Sequence, residues 1–178
     1  IGGRIMEKCR CKWCNLNNPL YVEYHDREWG VPEYDDRNLF ELLILESFQA
    51  GLSWECVLNK RESFREAFDG FDLDTVCGYG EEKLAELLQN KNLIRNKLKM
   101  KAAVNNANMF REIQKEYGTF AKYLWHFTDG AIIYEWDKTT SELSDTISKD
   151  LKKRGMKFVG STIIYSYLQA AGIINSHE

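Results

Sequence analysis

One acidic residue and one tryptophan flank a short turn between two apolar segments of the sequence. Glu46 follows an apolar run with helical spacing, which places it near the end of a mostly buried helix. Gly51 ends that helix because glycine reaches left-handed backbone angles without strain, and Ser53 can cap a second helix beginning at Trp54. Leu52 is then exposed at the corner. An isolated acid in such a setting is more often a solvated edge residue than a catalytic group, so other residues must supply evidence for chemistry.

Three cysteines near the N-terminus, Cys9, Cys11 and Cys14, indicate a metal site or an exposed thiol cluster rather than core packing. Cys11 and Cys14 have the C-x-x-C spacing of structural zinc sites. No second pair follows, so a self-contained zinc finger is excluded and other ligands must come from elsewhere. His177 is one candidate, and a zinc ion would then join the two ends of the chain. His25 is another, although it could equally be a hydrogen-bonded core residue.

Aromatic residues are dense around the same segments: Tyr21, Tyr24, Trp29 and Trp54. Such residues are usually part of a core. The alternative is a flat cavity that stacks a planar ligand while Glu46 reads the edge of that ligand. An extruded nucleobase is held in this way, by stacking and by hydrogen bonds to its edge.

Positive charge is concentrated in two runs, Lys91–Lys101 and Lys149–Lys157, although the formal net charge is −3. Taken alone, either run is best interpreted as a solvated helix face. The first run also opens a long helix, however, and the N–H groups at a helix N-terminus suit a phosphate. A local basic surface of this kind can bind nucleic acid on an acidic protein.

The elements that must position these residues are helical. Amphipathic spacing predicts seven helices, at residues 36–50, 54–68, 80–89, 95–117, 119–126, 141–154 and 161–171. Residues 131–136 form a short extended segment or a loop. We therefore predict a single, mostly α-helical domain over residues 1–178, with residues 1–5, which precede Met6, as an extension.

Composition agrees with a soluble globular protein, at 44% hydrophobic and 29% charged residues. No apolar run approaches the roughly 20 residues that span a bilayer, and the N-terminus has no hydrophobic signal core. We accordingly expect a cytoplasmic protein. Its five cysteines do not suggest a disulfide framework there.

A series of motifs runs in order over essentially the whole chain from Cys11 to His177. They are PLY at 19–21, YHD at 24–26, EWGVP at 28–32, LE at 45–46, QAGLSW at 49–54, LNKR at 58–61, LKKRGMKFVG at 151–160 and QAAGIINSH at 169–177. Together they resemble the bacterial 3-methyladenine DNA glycosylase I (Tag) family. The resemblance implies an all-α domain of the helix-hairpin-helix glycosylase type, with a zinc-binding element that joins the N- and C-termini.

The resemblance also implies three of the four ligands of a structural Zn²⁺. Cys11 matches the family's N-terminal cysteine, and His25 and His177 match its two histidines. The family's second cysteine lies a few residues beyond its second histidine, whereas this sequence ends at Glu178. The fourth ligand is then a residue beyond that point, or Cys14, or less readily Cys9.

By the same resemblance, Glu46 is the acid of the base pocket. Trp54 and Tyr24 would sandwich the base, and Tyr21 and Trp29 would complete the walls. Leu52 would be the wedge that enters the duplex. The DNA-contacting residues would lie on this turn and at the start of the long helix: Leu52, Gln49, Arg95, Lys97 and Lys99. The second of these regions lacks the glycine-rich hairpin of other superfamily members, so there the match is one of position.

The implied activity is hydrolytic excision of 3-methyladenine from alkylated double-stranded DNA by a monomer that releases the free base. Methylation at N3 makes the base cationic, so it leaves as a neutral molecule and aromatic faces with a carboxylate suffice to favour it. No lysine stands out as a Schiff-base nucleophile, so we expect no strand cleavage. The alternatives are a zinc-stabilised, non-catalytic nucleic-acid-binding domain and a helical protein-interaction module.

Overall fold

The computed structural model describes residues 10–177, and its regular secondary structure is mostly α-helical. The helices are α1 (Pro19–Arg27), α2 (Asp36–Gln49), α3 (Trp54–Asn59), α4 (Arg61–Ala67), α5 (Leu73–Cys77), α6 (Glu81–Gln89), α7 (Lys97–Tyr117), α8 (Phe120–His126), α9 (Glu142–Lys153) and α10 (Ser161–Ala170), with a 3-10 turn at Asp69–Phe71. Two short strands, β1 (Ile133–Tyr134) and β2 (Ile174–Asn175), pair in parallel. The prediction of a mostly helical chain is confirmed.

The helix α2 lies at the centre of the core. Its N-terminus is capped by Asp35, whose carboxylate accepts from the amides of Arg37 and Asn38. Every residue from Leu39 to Phe48 is buried, because α3, α7, α8 and α10 all pack against the helix. A helix covered on all sides has no solvent edge, so any acid that it carries must be compensated or functional.

The N-terminal segment is joined to the C-terminal segment by backbone hydrogen bonds. The Gly30 amide donates to the Gln169 carbonyl at 2.9 Å, and the Glu33 amide donates to that of Ala171 at 2.9 Å. Gly172, at φ +75°, allows this approach, because a Cβ there would lie 2.3 Å from the Val31 carbonyl carbon. The segment after α1 is thereby brought against the end of α10.

Three features differ from the sequence-based expectation. The predicted helix 54–68 breaks at Lys60, whose amide bonds to the Val57 carbonyl in a tightened last turn. The short helices α1 and α5 were not predicted, although Asn18 and Pro19 supply a cap and a first-turn proline for α1. The strand β2 was not predicted either, although its partner β1 lies in the expected extended segment at residues 131–136.

Residues 1–5 and Cys9 lie outside the described residues. Within the described part of the chain, no helix combines the length and apolar character needed to cross a membrane.

Candidate active site

A cavity of about 320 Å³ opens where α1, the end of α2, the start of α3 and α10 meet. Its walls include four of the aromatic residues singled out in the sequence, together with the acid. The lining residues are Cys11, Trp13, Tyr21, Tyr24, Trp29, Glu46, Gln49, Trp54, Trp136, Asp137, Lys138, Ser166, Gln169 and Ser176. Residues from both ends of the chain therefore form one site.

Glu46 reaches this cavity from the last turns of α2 and is only 2% exposed. Its Oε2 is buried and has no hydrogen-bond partner. Burial raises the pKa of the Glu46 carboxyl to about 8, since the charged form is poorly solvated there. The Glu46 carboxyl is thus largely protonated at neutral pH.

Tyr24 and Trp54 flank the acid with rings whose centroids lie 5.4 Å apart and whose planes are inclined by 46°. The Trp54 Nε1 is buried and also has no partner. The pKa of Tyr24 is raised well above its usual value by burial and then by the nearby Glu46, and that of Tyr21 is raised to about 12 by burial and then by Glu55. Both tyrosines stay neutral across the physiological range.

Trp29 occupies the boundary between the cavity and the cluster of metal-ligand residues. Its ring stacks on His25 at a centroid distance of 5.8 Å and meets His177 edge-on at 4.6 Å. Its backbone carbonyl lies 2.5 Å from the Nε2 of His177. Trp29 is therefore a shared wall of the two sites rather than a member of the Tyr24–Trp54 pair.

The polar wall of the cavity was not predicted from the sequence. Ser166 and Gln169 are three residues apart on α10, a spacing that places both on one helix face. The Gln169 Nε2 donates to the Ser176 hydroxyl at 3.0 Å. The QAAGIINSH motif contained two of these residues, but nothing in it indicated that they face the cavity.

Two tryptophans of the lining were also missed. Trp13 meets Trp29 edge-on at 4.8 Å. Trp136 is half exposed, follows β1, and donates from Nε1 to the His177 carbonyl at 2.8 Å. The contact links the rim of the cavity to the C-terminal segment, a pairing 41 residues apart that no local pattern could reveal.

The turn between α2 and α3 has the predicted form. Gly51 adopts φ +80°, and Ser53 caps α3 by accepting from the Cys56 amide. Leu52 projects outward and is 39% exposed. Gln49 restrains it, because its Nε2 donates to the Leu52 carbonyl at 3.2 Å while its own carbonyl accepts from the Leu52 amide at 2.7 Å.

The basic turn before α7 divides into exposed and buried residues. Arg95 and Lys97 are exposed, and Asn96 caps the helix. Lys99, which we expected to contact DNA, is buried: its ammonium donates to the carbonyls of Phe48 at 2.9 Å and Ala50 at 2.7 Å. The geometry does not support the expectation for Lys99, because its ammonium is already bonded to two carbonyls inside the protein.

Cys11, His25 and His177 are brought together, with one potential ligand atom from each within 4.8 Å of the others. Asp26 lies 2.9 Å from the Nδ1 of His25, and the Cys11 amide is 3.3 Å from its Nε2. A carboxylate on the second nitrogen of a histidine is the usual way to orient a metal ligand. A thiol and two imidazoles suit zinc.

Cys14 does not join this cluster. Its Sγ lies 3.8 Å from the Tyr21 carbonyl, and the group of possible ligands within the described residues contains only the other three side chains. The expectation that Cys14 completes the metal site is therefore not supported by the geometry, because its thiol is directed toward the backbone of α1.

A helical scaffold that holds a buried, unpaired acid among aromatic rings defines a site for a planar ligand that can compensate the acid. The family model described as Methyladenine glycosylase matches residues 13–178. The chain belongs to that family.

Individual relatives are similar to this chain over nearly its whole length. DNA-3-methyladenine glycosylase 1 of Escherichia coli K12 is 43% identical over 94% of this chain and 92% of its own length. The Haemophilus influenzae DNA-3-methyladenine glycosylase is 39% identical over 94% of both.

Solved structures match the fold equally well. A crystal structure of 3-methyladenine DNA glycosylase I has a TM-score of 0.91 and 44% identity, covering 95% of this chain and 96% of that one. Another structure of such an enzyme, in complex with 3-methyladenine, has a TM-score of 0.87 and 36% identity, covering 90% and 89%.

Proposed function

We propose that this protein is a monofunctional DNA glycosylase that extrudes 3-methyladenine from alkylated double-stranded DNA and excises it by hydrolysis, the first step of base excision repair. The observation that carries the proposal is the Glu46 carboxyl, buried in an aromatic cavity with an unpaired oxygen. The names and activities of its relatives support the same reaction. We further propose that it acts as a cytoplasmic monomer.

Recognition would depend on the charge of the base. Before a base binds, Glu46 would be mostly protonated, because burial raises its pKa to about 8. A cationic base packed against the faces of Tyr24 and Trp54, whose rings lie too close together to admit it between them without moving apart, would favour the carboxylate, so the acid would lose its proton as the substrate enters. The ring faces would add about 0.5–2 kcal/mol of cation attraction. Neutral adenine offers neither effect, which would give selectivity.

Hydrolysis would need little help at the leaving group. The methylated base departs as a neutral molecule, so no strong general acid is required. Glu46 would orient the base or a water that attacks C1′ of the sugar as the C1′–N9 bond breaks, and the proton of that water would pass to the Glu46 carboxylate or to solvent. Strand cleavage would need a free amine, and the lysine that lines the cavity, Lys138, has its ammonium ion-paired with Glu135 at 3.0 Å.

Extrusion would use the exposed turn beside the cavity. Leu52 would fill the gap left by the displaced nucleotide, with Gln49 holding it in place. Arg95 and Lys97, before and at the start of α7, would contact phosphates. The turn between α6 and α7 would then take the position of the DNA-gripping hairpin of the helix-hairpin-helix superfamily, to which we assign the fold.

We propose that Cys11, His25 and His177 hold a structural Zn²⁺ that joins the chain ends. Gly30 supports the fit, because it leaves room for the ring of His177: a Cβ there would lie 2.8 Å from the Cδ2 of that ring. The fourth ligand would lie outside the described residues. Cys11→Ser should lower both zinc content and thermal stability, whereas Cys14→Ser should leave zinc content unchanged; equal loss in both variants would contradict the assignment.

The activity is tested by base release from alkylated duplex DNA, with chromatographic identification of the product. We expect free 3-methyladenine without strand scission. Glu46→Gln should slow single-turnover excision by roughly 100-fold or more, with little change in DNA affinity. If the folded protein binds abasic-site DNA but releases no base, the chain is a non-catalytic nucleic-acid-binding domain.

A further inference from the structure

Lys99 is a buried cation with no carboxylate among its hydrogen-bond partners. Its ammonium is bonded instead to two backbone carbonyls, those of Phe48 and Ala50, at 2.9 and 2.7 Å. These carbonyls belong to the last turn of α2, where the helix leaves its final C=O groups without intrahelical partners. One side chain from α7 therefore closes the end of α2.

The location of Lys99 is unfavourable for a lysine in two respects. Burial disfavours the charged form and lowers the pKa of its ammonium. The residue also lies in the first turn of α7, where the helix dipole is positive and repels a cation. The carbonyl end of α2 offsets these costs. An apolar side chain would fill the same space without incurring them, so its role goes beyond filling space.

The carbonyls that Lys99 holds determine where the wedge turn begins. Phe48 and Ala50 flank Gln49, which makes two hydrogen bonds to Leu52. On the other side of the contact, Lys99 follows the exposed Lys97 on the same turn of α7. The ammonium thus lies between the surface that would contact phosphates and the surface that would enter the duplex.

We propose that Lys99 is a positioning residue that fixes the wedge turn relative to the phosphate-contacting turn, so that Leu52 is correctly placed when α7 engages the backbone. The biological role that we assign to Lys99 rests on the proposed function, but the structural role of Lys99 does not. It requires only that the ammonium hold the 48–52 backbone in place.

The experiment compares Lys99→Met with Lys115→Met, which removes one positive charge from an exposed position on the same helix. Hydrogen exchange of the Leu52 amide is measured first, without DNA. Binding is then measured to a duplex containing a tetrahydrofuran abasic-site analogue, as a function of salt and without any catalytic step. The variant Leu52→Ala and the double variant that combines it with Lys99→Met complete a double-mutant cycle.

We expect Lys99→Met to accelerate exchange in the turn and to weaken duplex binding by roughly 10- to 100-fold. The dependence of log K on log salt should not change, since no phosphate contact is lost. The double variant should be no weaker than the more severe single variant, because both would remove the same wedge. Lys115→Met should match the wild type in all measurements.

Three results would overturn the inference: unchanged exchange at Leu52, a salt slope reduced by about one, or additive losses in the cycle. If Lys99→Met is too unstable to assay, Lys99→Gln is measured by the same criteria. Failure of the proposed function is distinguishable, because a wild-type protein that releases no base still reports on the exchange of the turn.

Discussion

Two glutamates on α2 are both buried, yet their surroundings are opposite. Glu41 is bonded to the guanidinium groups of Arg61 and Arg65, and Arg61 also forms two 2.7 Å bonds to Glu28. Burial alone would raise the pKa of Glu41, but these bonds more than offset it and its pKa is lowered. Glu46, five residues later, faces aromatic rings and has a pKa of about 8.

The difference separates an acid that contributes to the fold from one that is available for chemistry. A buried ion pair is complete as the protein folds, whereas an unpaired buried carboxyl lowers stability until a ligand compensates it. Strongly perturbed acids of the second kind in a cavity are candidates for function. Glu46 is buried and unpaired, as expected for an acid whose charge a bound cation would compensate.

Removing the paired acid should destabilise the fold. Glu41→Gln leaves the guanidinium of Arg61 buried with one carboxylate fewer, which should cost about 2 kcal/mol, or roughly 4–8 °C in Tm. Glu62→Gln, which removes an exposed partner of Arg65, is the control and should cost less than about 0.5 kcal/mol. Thermal unfolding measures both. Equal losses would show that burial does not distinguish these pairs.

The pH profile of excision should report the unpaired acid. If substrate binding requires the carboxylate, kcat/KM falls below the pKa of about 8 in the free enzyme, approaching tenfold per pH unit. The cationic base lowers that pKa in the complex, so kcat should stay flat near neutral pH. Tyr21 and Tyr24 stay protonated across this range because their pKa values are raised. A kcat/KM that is flat from pH 6 to 8 would contradict this assignment.

The sequence predicts the features that depend on residues close together in the chain, and it does not predict those that depend on distant residues. The end of α2, the Gly51 turn and the Ser53 cap depend on neighbouring residues, and the sequence predicts them correctly. The environments of Glu41 and Glu46 cannot be predicted in this way, because in the sequence each residue is simply an acid on an apolar helix. Only the folded chain brings Arg61 and Arg65 to one of them.

Lys99 shows the same limit on a larger scale. In the sequence it belongs to a run of basic residues that resembles a solvated or phosphate-binding face, together with Arg95 and Lys97. Its burial results from a contact 51 residues away along the chain. A helical pattern predicts which residues share a face, but it does not predict which carbonyls another helix presents to that face.

Glu46→Gln should make the folded protein more stable at alkaline pH. The folded state holds the Glu46 proton more tightly than an unfolded chain with a pKa of 4.5, so the free energy of unfolding falls as pH rises from about 4.5 to about 8. The glutamine variant lacks this dependence. Its advantage should be absent near pH 4.5 and on the order of 5 kcal/mol above pH 8, because the pKa shift from 4.5 to about 8 is worth about 1.4 kcal/mol per pKa unit. Urea unfolding at several pH values measures it.

Glu41→Gln provides the matched comparison for that measurement. Because the pKa of Glu41 is lowered, its carboxylate stabilises the fold above the unfolded pKa, and this stabilisation is lost as pH falls through the folded pKa. The two glutamine variants should therefore change stability in opposite directions at pH 8. The same sign in both would mean that Glu46 has a partner in solution.

The smallest expected effect concerns the aromatic rings that surround Glu46, where Glu41 is surrounded by arginines. Trp54→Phe keeps an aromatic wall but offers a weaker face to a cation, and it removes the buried, unpaired Nε1. KM for alkylated duplex should rise by roughly two- to fivefold with no loss of stability. Trp125→Phe is the control, because its Nε1 donates to the Glu33 carbonyl at 2.9 Å outside the cavity. The Trp125→Phe variant should lose stability and keep its KM. The two tryptophan variants should therefore separate substrate binding from folding, as the two glutamate variants do. If both tryptophan variants lose stability, the Trp54 ring supports the fold rather than the binding of a cation.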